Sequence, residues 1–171
     1  LDAKDTAVKE FQCSLSEYRK QLAMGTIRTA YTGLMGYLHG LRLFFENKYP
    51  DFFVSSSVQQ GLMDYSYFYF FPKTLKQRKL KIVLLFVHDS FRFEVWLAGY
   101  NKKVQAKIWQ QFKDANYSKY TVPLSLSGVD SIVEHVLVEN ADFSNPEALT
   151  KQIEKGALTF ISDIEDFLAK K

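Results

Sequence analysis

The chain has 171 residues, 47% of them hydrophobic and 24% charged, with a net charge of +3. These proportions suit one folded domain with a sizeable core and exclude a disordered chain. So small a charge implies no nucleic-acid partner without a clustered patch, and a single cysteine, Cys13, excludes a disulfide framework or a cysteine-built zinc site.

Residues 4 to 24 read as a helix, with Val8, Phe11, Leu15, Tyr18 and Leu22 at helical spacing. Gly25 is a stop signal and Thr26 an N-cap for a second helix reaching about Lys48. Ile27, Tyr31, Leu34, Leu38, Leu41 and Phe45 form the stripe of that helix. Gly33, Gly36 and Gly40 interrupt it, each costing about 1 kcal/mol against Ala, which predicts compensation by close packing. Tyr49-Pro50-Asp51 ends the helix, because proline disfavours helical geometry in the residue before it.

Ser55 to Gln60 is small and polar and reads as a loop. Three strands follow at about 64 to 71, 80 to 87 and 91 to 98, rich in β-branched and aromatic residues. Lys102 to Lys113 has helical spacing, with Val104, Ile108, Trp109 and Phe112 on one face. Tyr120 to Leu124 reads as a strand with Pro123 near its end. The β-branched density of 131 to 139 favours a strand over a helix. Ser144-Asn-Pro-Glu147 resembles a capping box opening a last helix towards the C-terminus.

The expected architecture is therefore α+β. An antiparallel β-meander carries long helices on one face, in the order α-α-β-β-β-α-β-β-α, as a single domain over residues 1–171. With no signal peptide, no apolar run of spanning length and one cysteine, a cytoplasmic setting without a membrane is expected.

Short turns set an expected register. Val87 faces Arg92, Leu85 faces Glu94 and Val83 faces Trp96, while Phe71 against Leu80 puts Asp64 opposite Val87 and Ser66 opposite Leu85. That register buries Tyr65, Tyr67, Tyr69 and Phe71 with Ile82, Leu84, Phe86, Phe91, Phe93 and Val95. It leaves Asp64, Ser66, Arg92 and Glu94 together on the other face. Charged residues in mid-strand are costly to bury unless paired. The four thus read either as a structural ion network or as a polar ligand cleft. Lys73, Lys76, Arg78 and Lys79 read as a solvated turn, or as a phosphate grip if aromatics were exposed beside them.

Other candidates are weaker. His88 reads as a turn residue, His39 as a cleft-lining helix residue, Cys13 as packed, and Ser55-Ser56-Ser57 as a loop. No metal-binding, P-loop or nucleophile-elbow motif occurs, so no cofactor, metal or catalytic residue is implied.

Gln60-Gly-Leu-Met-Asp-Tyr-Ser-Tyr-Phe68, Phe91-Arg-Phe-Glu-Val-Trp-Leu-Ala-Gly-Tyr-Asn101 and Gly128-Val-Asp-Ser-Ile-Val-Glu-His-Val-Leu-Val-Glu139 resemble a family of uncharacterised bacterial proteins over nearly the full length. That resemblance implies no activity. The order helix, three strands, helix, strand from Ile27 to Leu124 resembles the restriction-endonuclease-like fold. There an acid and an acid-x-Lys pair hold a divalent metal, but here Glu94-Val95-Trp96 replaces the lysine with tryptophan. The reading is a non-enzymatic bacterial binding or interaction module for a small molecule or protein, with a polar cleft at Asp64, Arg92 and Glu94. Its alternatives are an inactive relative of metal-dependent nucleases and a weak nucleic-acid binder through the turn 73–79.

Overall fold

A computed structural model describes residues 3–170. The elements are α1 (Ala3–Met24), α2 (Thr26–Lys48), β1 (Phe53–Val54), β2 (Gln59–Gln60), β3 (Tyr65–Phe71), α3 (Lys73–Gln77), β4 (Leu80–Val87), β5 (Arg92–Gly99), α4 (Lys102–Asp114), β6 (Ser131–Val138) and α5 (Pro146–Ala169). The fold is α+β with a wholly antiparallel sheet in the order β1-β3-β4-β5-β6, and β2 pairs with β3 beside β1. None of the helices is long and apolar enough to cross a membrane among the described residues.

The chain divides into two compact units, one up to Leu38 and one from His39 onward. The first holds α1 and the start of α2, joined at Gly25, whose φ of +78° lies in the left-handed region that glycine adopts without a Cβ penalty. Gly33, Gly36 and Gly40 do not answer to close packing. A Cβ built on any of them meets no atom within 4 Å, so they are uncompensated helix breakers.

In the second unit the antiparallel pairing fixes two sheet faces. The first face carries Ser66, Phe68 and Phe70 opposite Phe86, Leu84 and Ile82, which in turn oppose Phe93, Val95 and Leu97. The Phe45 ring of α2 lies 6.1 Å from Phe68 and 4.8 Å from Phe70. From α5, Phe160 stacks on His135 of β6, and Phe167 stacks at 4.1 Å on Phe112 of α4. The long helices of this unit thus seal one apolar face, and Phe68, Phe70, Phe86 and Phe93 are fully buried there.

The expected register is off by one residue between β3 and β4. Tyr65, not Asp64, faces Val87, and Tyr67, not Ser66, faces Leu85. Phe71 and Leu80 do not pair as a simple hairpin end. The connection instead coils into α3, which buries Leu75, and Lys79 closes it with a φ of +57°. With a side-chain period of two, that one residue moves the tyrosines to the opposite face. The β4–β5 register is as the short turn predicts, with Phe91 outside the strand and exposed at a φ of +51°.

Four smaller expectations also change. The polar segment 55–60 contains β2, where Gln59 pairs with Tyr67 and Gln60 with Ser66, and the Ser55 N–H extends the β1 ladder to the Tyr69 carbonyl at 2.9 Å. Residues 120–124 form no strand. Only Thr121 bridges to Glu134, since Pro123 has no N–H to give a ladder. Asn145, not Ser144, caps α5 by accepting from the Ala148 N–H, while Ser144 turns back to Asp142. Cys13 is exposed instead of packed.

Two histidines are held below the ordinary imidazole range. Burial lowers His88 and His135, with Asp64 and Asp89 opposing the shift at His88 and Asp163 opposing it at His135. The unfolded chain therefore takes up protons that the folded chain refuses. This stability is fully present above the unfolded pKa of about 6.5 and is lost as pH falls towards the folded values. Denaturant midpoints are expected to fall between about pH 7 and pH 5, less steeply in His135→Asn. A flat profile in the wild type would show that neither ring is buried in its neutral form.

Packing gives a second prediction. Phe68→Ala is expected to cost about 3–5 kcal/mol in denaturant melts, the usual range for a buried Phe. Gly33→Ala, Gly36→Ala and Gly40→Ala are each expected to stabilise by about 0.5–1 kcal/mol. A loss in any of the three would reveal a close neighbour of that glycine.

Candidate functional site

The second sheet face holds the site. Tyr65, Tyr67 and Tyr69 alternate along β3, beside Lys81, Val83, Leu85 and Val87 of β4 and Arg92, Glu94, Trp96 and Ala98 of β5. Val83, Leu85 and Ala98 are buried there, under the half-buried rings of Tyr65, Tyr67, Tyr69 and Trp96. Phe53 continues the aromatic row, stacked 4.7 Å from Phe71 and 6.1 Å from Tyr69.

Arg92, Glu94 and Trp96 project from β5 on this side because they stand two residues apart. Glu94 is only 4% exposed. Its Oε1 accepts from Arg92 Nε at 2.6 Å and its Oε2 from Trp96 Nε1 at 2.7 Å. Arg92 Nη2 adds a second contact to Oε1 at 2.5 Å. The buried carboxylate is thus neutralised on one oxygen and spends the other on fixing the indole. Trp96 meets Tyr65 edge-on at 5.6 Å, and Tyr65 lies 5.9 Å from Tyr67.

These rings wall a cleft of about 290 Å³ floored by Val83 and Ala98 and bounded by Lys81, Tyr100 and Lys102. Gly99 lets the first turn of α4 approach, since a Cβ there would lie 2.7 Å from Gln105 N. Asn101 caps α4 by accepting from the Val104 N–H. Lys102 is occupied, bonding Asp130 at 2.8 Å and the Val129 carbonyl at 3.0 Å. Lys81 lies 4.9 Å over the Tyr69 ring. Burial raises the Tyr65 hydroxyl above its ordinary range, with the charges of Asp64 and Asp130 adding to it, so the phenol stays protonated and able to donate.

Of the four residues expected to cluster, the structure brings Arg92 and Glu94 together and separates the others. Ser66 lies on the helix-covered face, 1% exposed, with its Oγ 3.0 Å from His88 Nε2. His88 thus reaches across the sheet end, beyond a local turn contact. Asp64 is exposed just before β3, and its carboxylate accepts from the Tyr65 N–H at 2.7 Å. His39 is exposed on α2. Among the described residues no group of three or more His, Cys, Asp or Glu side chains is placed to hold a metal ion.

The basic stretch is divided. Lys73 lies 3.4 Å from Asp51, and Arg78 donates to the Leu168 carbonyl at 2.9 Å, satisfying the last turn of α5. Lys76 and Lys79 are exposed. Sequence reasoning missed Tyr65, Tyr67, Lys81 and Trp96 as neighbours in one cleft. The available signal was the alternation of Tyr with Phe in Tyr65 to Phe70. A phenol hydroxyl belongs at the wet face and a phenyl ring at the dry one.

A model described as a domain of unknown function (DUF7000) matches residues 11–168, so the chain is a member of that family. No curated protein and no solved structure matches it.

The ion pair makes a prediction. Arg92→Met leaves Glu94 buried without its cation and is expected to cost about 1–3 kcal/mol. Arg92→Met with Glu94→Leu is expected to cost less than Arg92→Met alone, because both charges leave together. If the double variant is the less stable in denaturant melts, the pair does more than neutralise a buried charge.

Proposed function

We propose that this protein is a binding module whose ligand stacks in the Tyr65–Tyr67–Trp96 cleft. The observation that carries this reading is the fixed indole. Trp96 is half-buried, walls the cleft and is held in one orientation by a buried carboxylate. Orienting an aromatic ring in advance lowers the cost of ordering it on binding. The ligand class that fits is a small ring compound with a face that can stack, polar edges and an anionic substituent. Its ring lies against Tyr67 and Trp96, phenol hydroxyls meet its edges, and the Lys81 ammonium meets its charge. Glu94 is a positioning residue here and Arg92 its counter-ion. Both Glu94 oxygens already accept hydrogen bonds, and the cation beside them is Arg92, which argues against the nuclease-relative alternative.

Trp109 is the second tryptophan, so Trp109→Phe leaves Trp96 as the fluorescent reporter. Nucleoside monophosphates and sugar phosphates are the probes. Saturable quenching is expected with at least one of them, weakened about tenfold or more in Tyr67→Ala, as the worth of a stacked ring predicts. Lys81→Ala is expected to weaken phosphorylated probes and spare the corresponding nucleosides or sugars. If no probe moves the Trp96 signal, or if Tyr67→Ala leaves the affinity unchanged, the cleft is not the binding site.

A second reading, single-stranded nucleic acid, is favoured by the tyrosine row itself. Tyr65, Tyr67 and Tyr69 are half-buried on the wet face, and β3 runs on towards Lys73, Lys76 and Lys79. Anisotropy with a labelled oligonucleotide separates the two. Affinity that falls steeply with salt and collapses when those three lysines are neutralised together supports the second reading.

A further inference from the structure

α1 carries an apolar seam that faces water. Val8, Phe11, Leu15 and Tyr18 are all exposed, Phe11 by 61%, and Leu22 is half-buried. Their spacing alternates three and four residues, which is the a and d pattern of a two-stranded coiled coil. Along α1, Ser14 bonds the Glu10 carbonyl, Ser16 bonds the Gln12 carbonyl, and Gln21 and Lys20 bond Glu17, all within the helix itself. A helix whose stripe is left in water gains little from packing.

We propose that α1 pairs with α1 of a second copy of this chain, in antiparallel orientation. With Val8, Leu15 and Leu22 at a and Phe11 and Tyr18 at d, the flanking e positions are Asp5, Gln12 and Arg19, and the flanking g positions are Ala7, Ser14 and Gln21. An antiparallel pair layers Val8 on the partner's Tyr18 and Phe11 on the partner's Leu15. Antiparallel strands bring e beside e, so Asp5 meets the partner's Arg19, and two-fold symmetry repeats that pair at the other end. The g positions meet as Ala7 with Gln21 and Ser14 with Ser14, all neutral. The parallel in-register pair instead sets g beside e, giving Ala7 with Gln12 and Ser14 with Arg19, and no opposite charges meet. Charge complementarity thus selects both the partner and its direction. The seam ends at Val8, since the next d position before it is Lys4, and the outer face of α1 balances Lys9 and Lys20 against Glu10 and Glu17. A helix that binds an anionic lipid surface concentrates basic residues there instead.

Sedimentation equilibrium on the full chain tests the association. A reversible monomer–dimer equilibrium is expected, abolished by Leu15→Lys. Since Leu15 is exposed, that variant is expected to keep the wild-type melting behaviour of the fold. Asp5→Arg or Arg19→Asp alone sets like charges together and is expected to weaken the dimer several-fold, and the two combined restore it. Spin labels read the direction. A label on Cys13, at the midpoint of the pair but on its outer side, reads the width of the pair with no axial offset. A label at position 4 (Lys4→Cys with Cys13→Ser) gives an axial separation of about 27 Å, from 18 residues at about 1.5 Å each. A position-4 distance shorter than the Cys13 distance would overturn the direction, because a parallel pair sets the two copies of position 4 side by side in the seam. The proposal fails if the chain stays monomeric at hundreds of micromolar, or if the dimer is indifferent to Leu15→Lys. It also fails if α1 binds vesicles containing phosphatidylserine through Phe11 while the protein stays monomeric in solution.

Discussion

The pairing of β3 with β4 decides what each side of this sheet can do. Tyr67 faces Leu85 and Leu85 faces Glu94 in one row; Phe68, Leu84 and Val95 make the next. Because side chains alternate with a period of two, this one register sorts every ring of the meander. Phe68, Phe70, Phe86 and Phe93 go under the helices, where no hydroxyl needs a partner, while Phe71 stays on the tyrosine side against Phe53. Tyrosines go to the other side, where each ring still covers aliphatic surface and its hydroxyl reaches water.

Two demands meet on that wet side. Val83 and Leu85 are buried there chiefly by aromatic rings, with Val87 beside them. The same rings form the wall of the cleft, so a substitution that empties the cleft also uncovers aliphatic surface. Glu94 joins the two demands. A carboxylate only 4% exposed is tolerated because Arg92 balances its charge and Trp96 satisfies its second oxygen. An apolar residue at that position would bury as well, but it would leave the indole free to rotate. A buried charge is poor evidence of stability. Its presence here makes more sense as a device that sets the direction of a ring.

Where local pattern determines structure, the sequence was informative. Helical spacing marked α2, α4 and α5, the β-branched run marked β6, and the turn at Asp89-Ser90 gave the β4–β5 register correctly. The β3 register was not legible from hydrophobicity, because Tyr65 to Phe71 is aromatic on both sides and a slip of one residue moves aromatic onto aromatic. The deciding contrast is a single hydroxyl, present at Tyr65, Tyr67 and Tyr69 and absent at Phe68 and Phe70. Ser66 misled for the same reason. A serine in mid-strand reads as wet, yet it is buried beside His88, which supplies the hydrogen bond it needs. Half of the polar cluster survived the slip because Arg92 and Glu94 share one strand, and their common side never depended on pairing.

A stripe at helical spacing states that a helix has an apolar side; it does not say what covers that side. In α5 the stripe from Leu149 to Leu168 is buried. In α1 an equally regular stripe stands in water. The difference in sequence lies beside the stripes. Ile153, Phe160, Ile161 and Ile164 make the α5 face broad, two or more residues wide per turn, as a helix laid on a sheet requires. The α1 seam is one residue wide, Val8-Phe11-Leu15-Tyr18, which suits a single opposing helix. Width therefore points to the kind of partner, a surface in one case and a rod in the other. The charges flanking the seam then point to the rod's direction, which width alone leaves open.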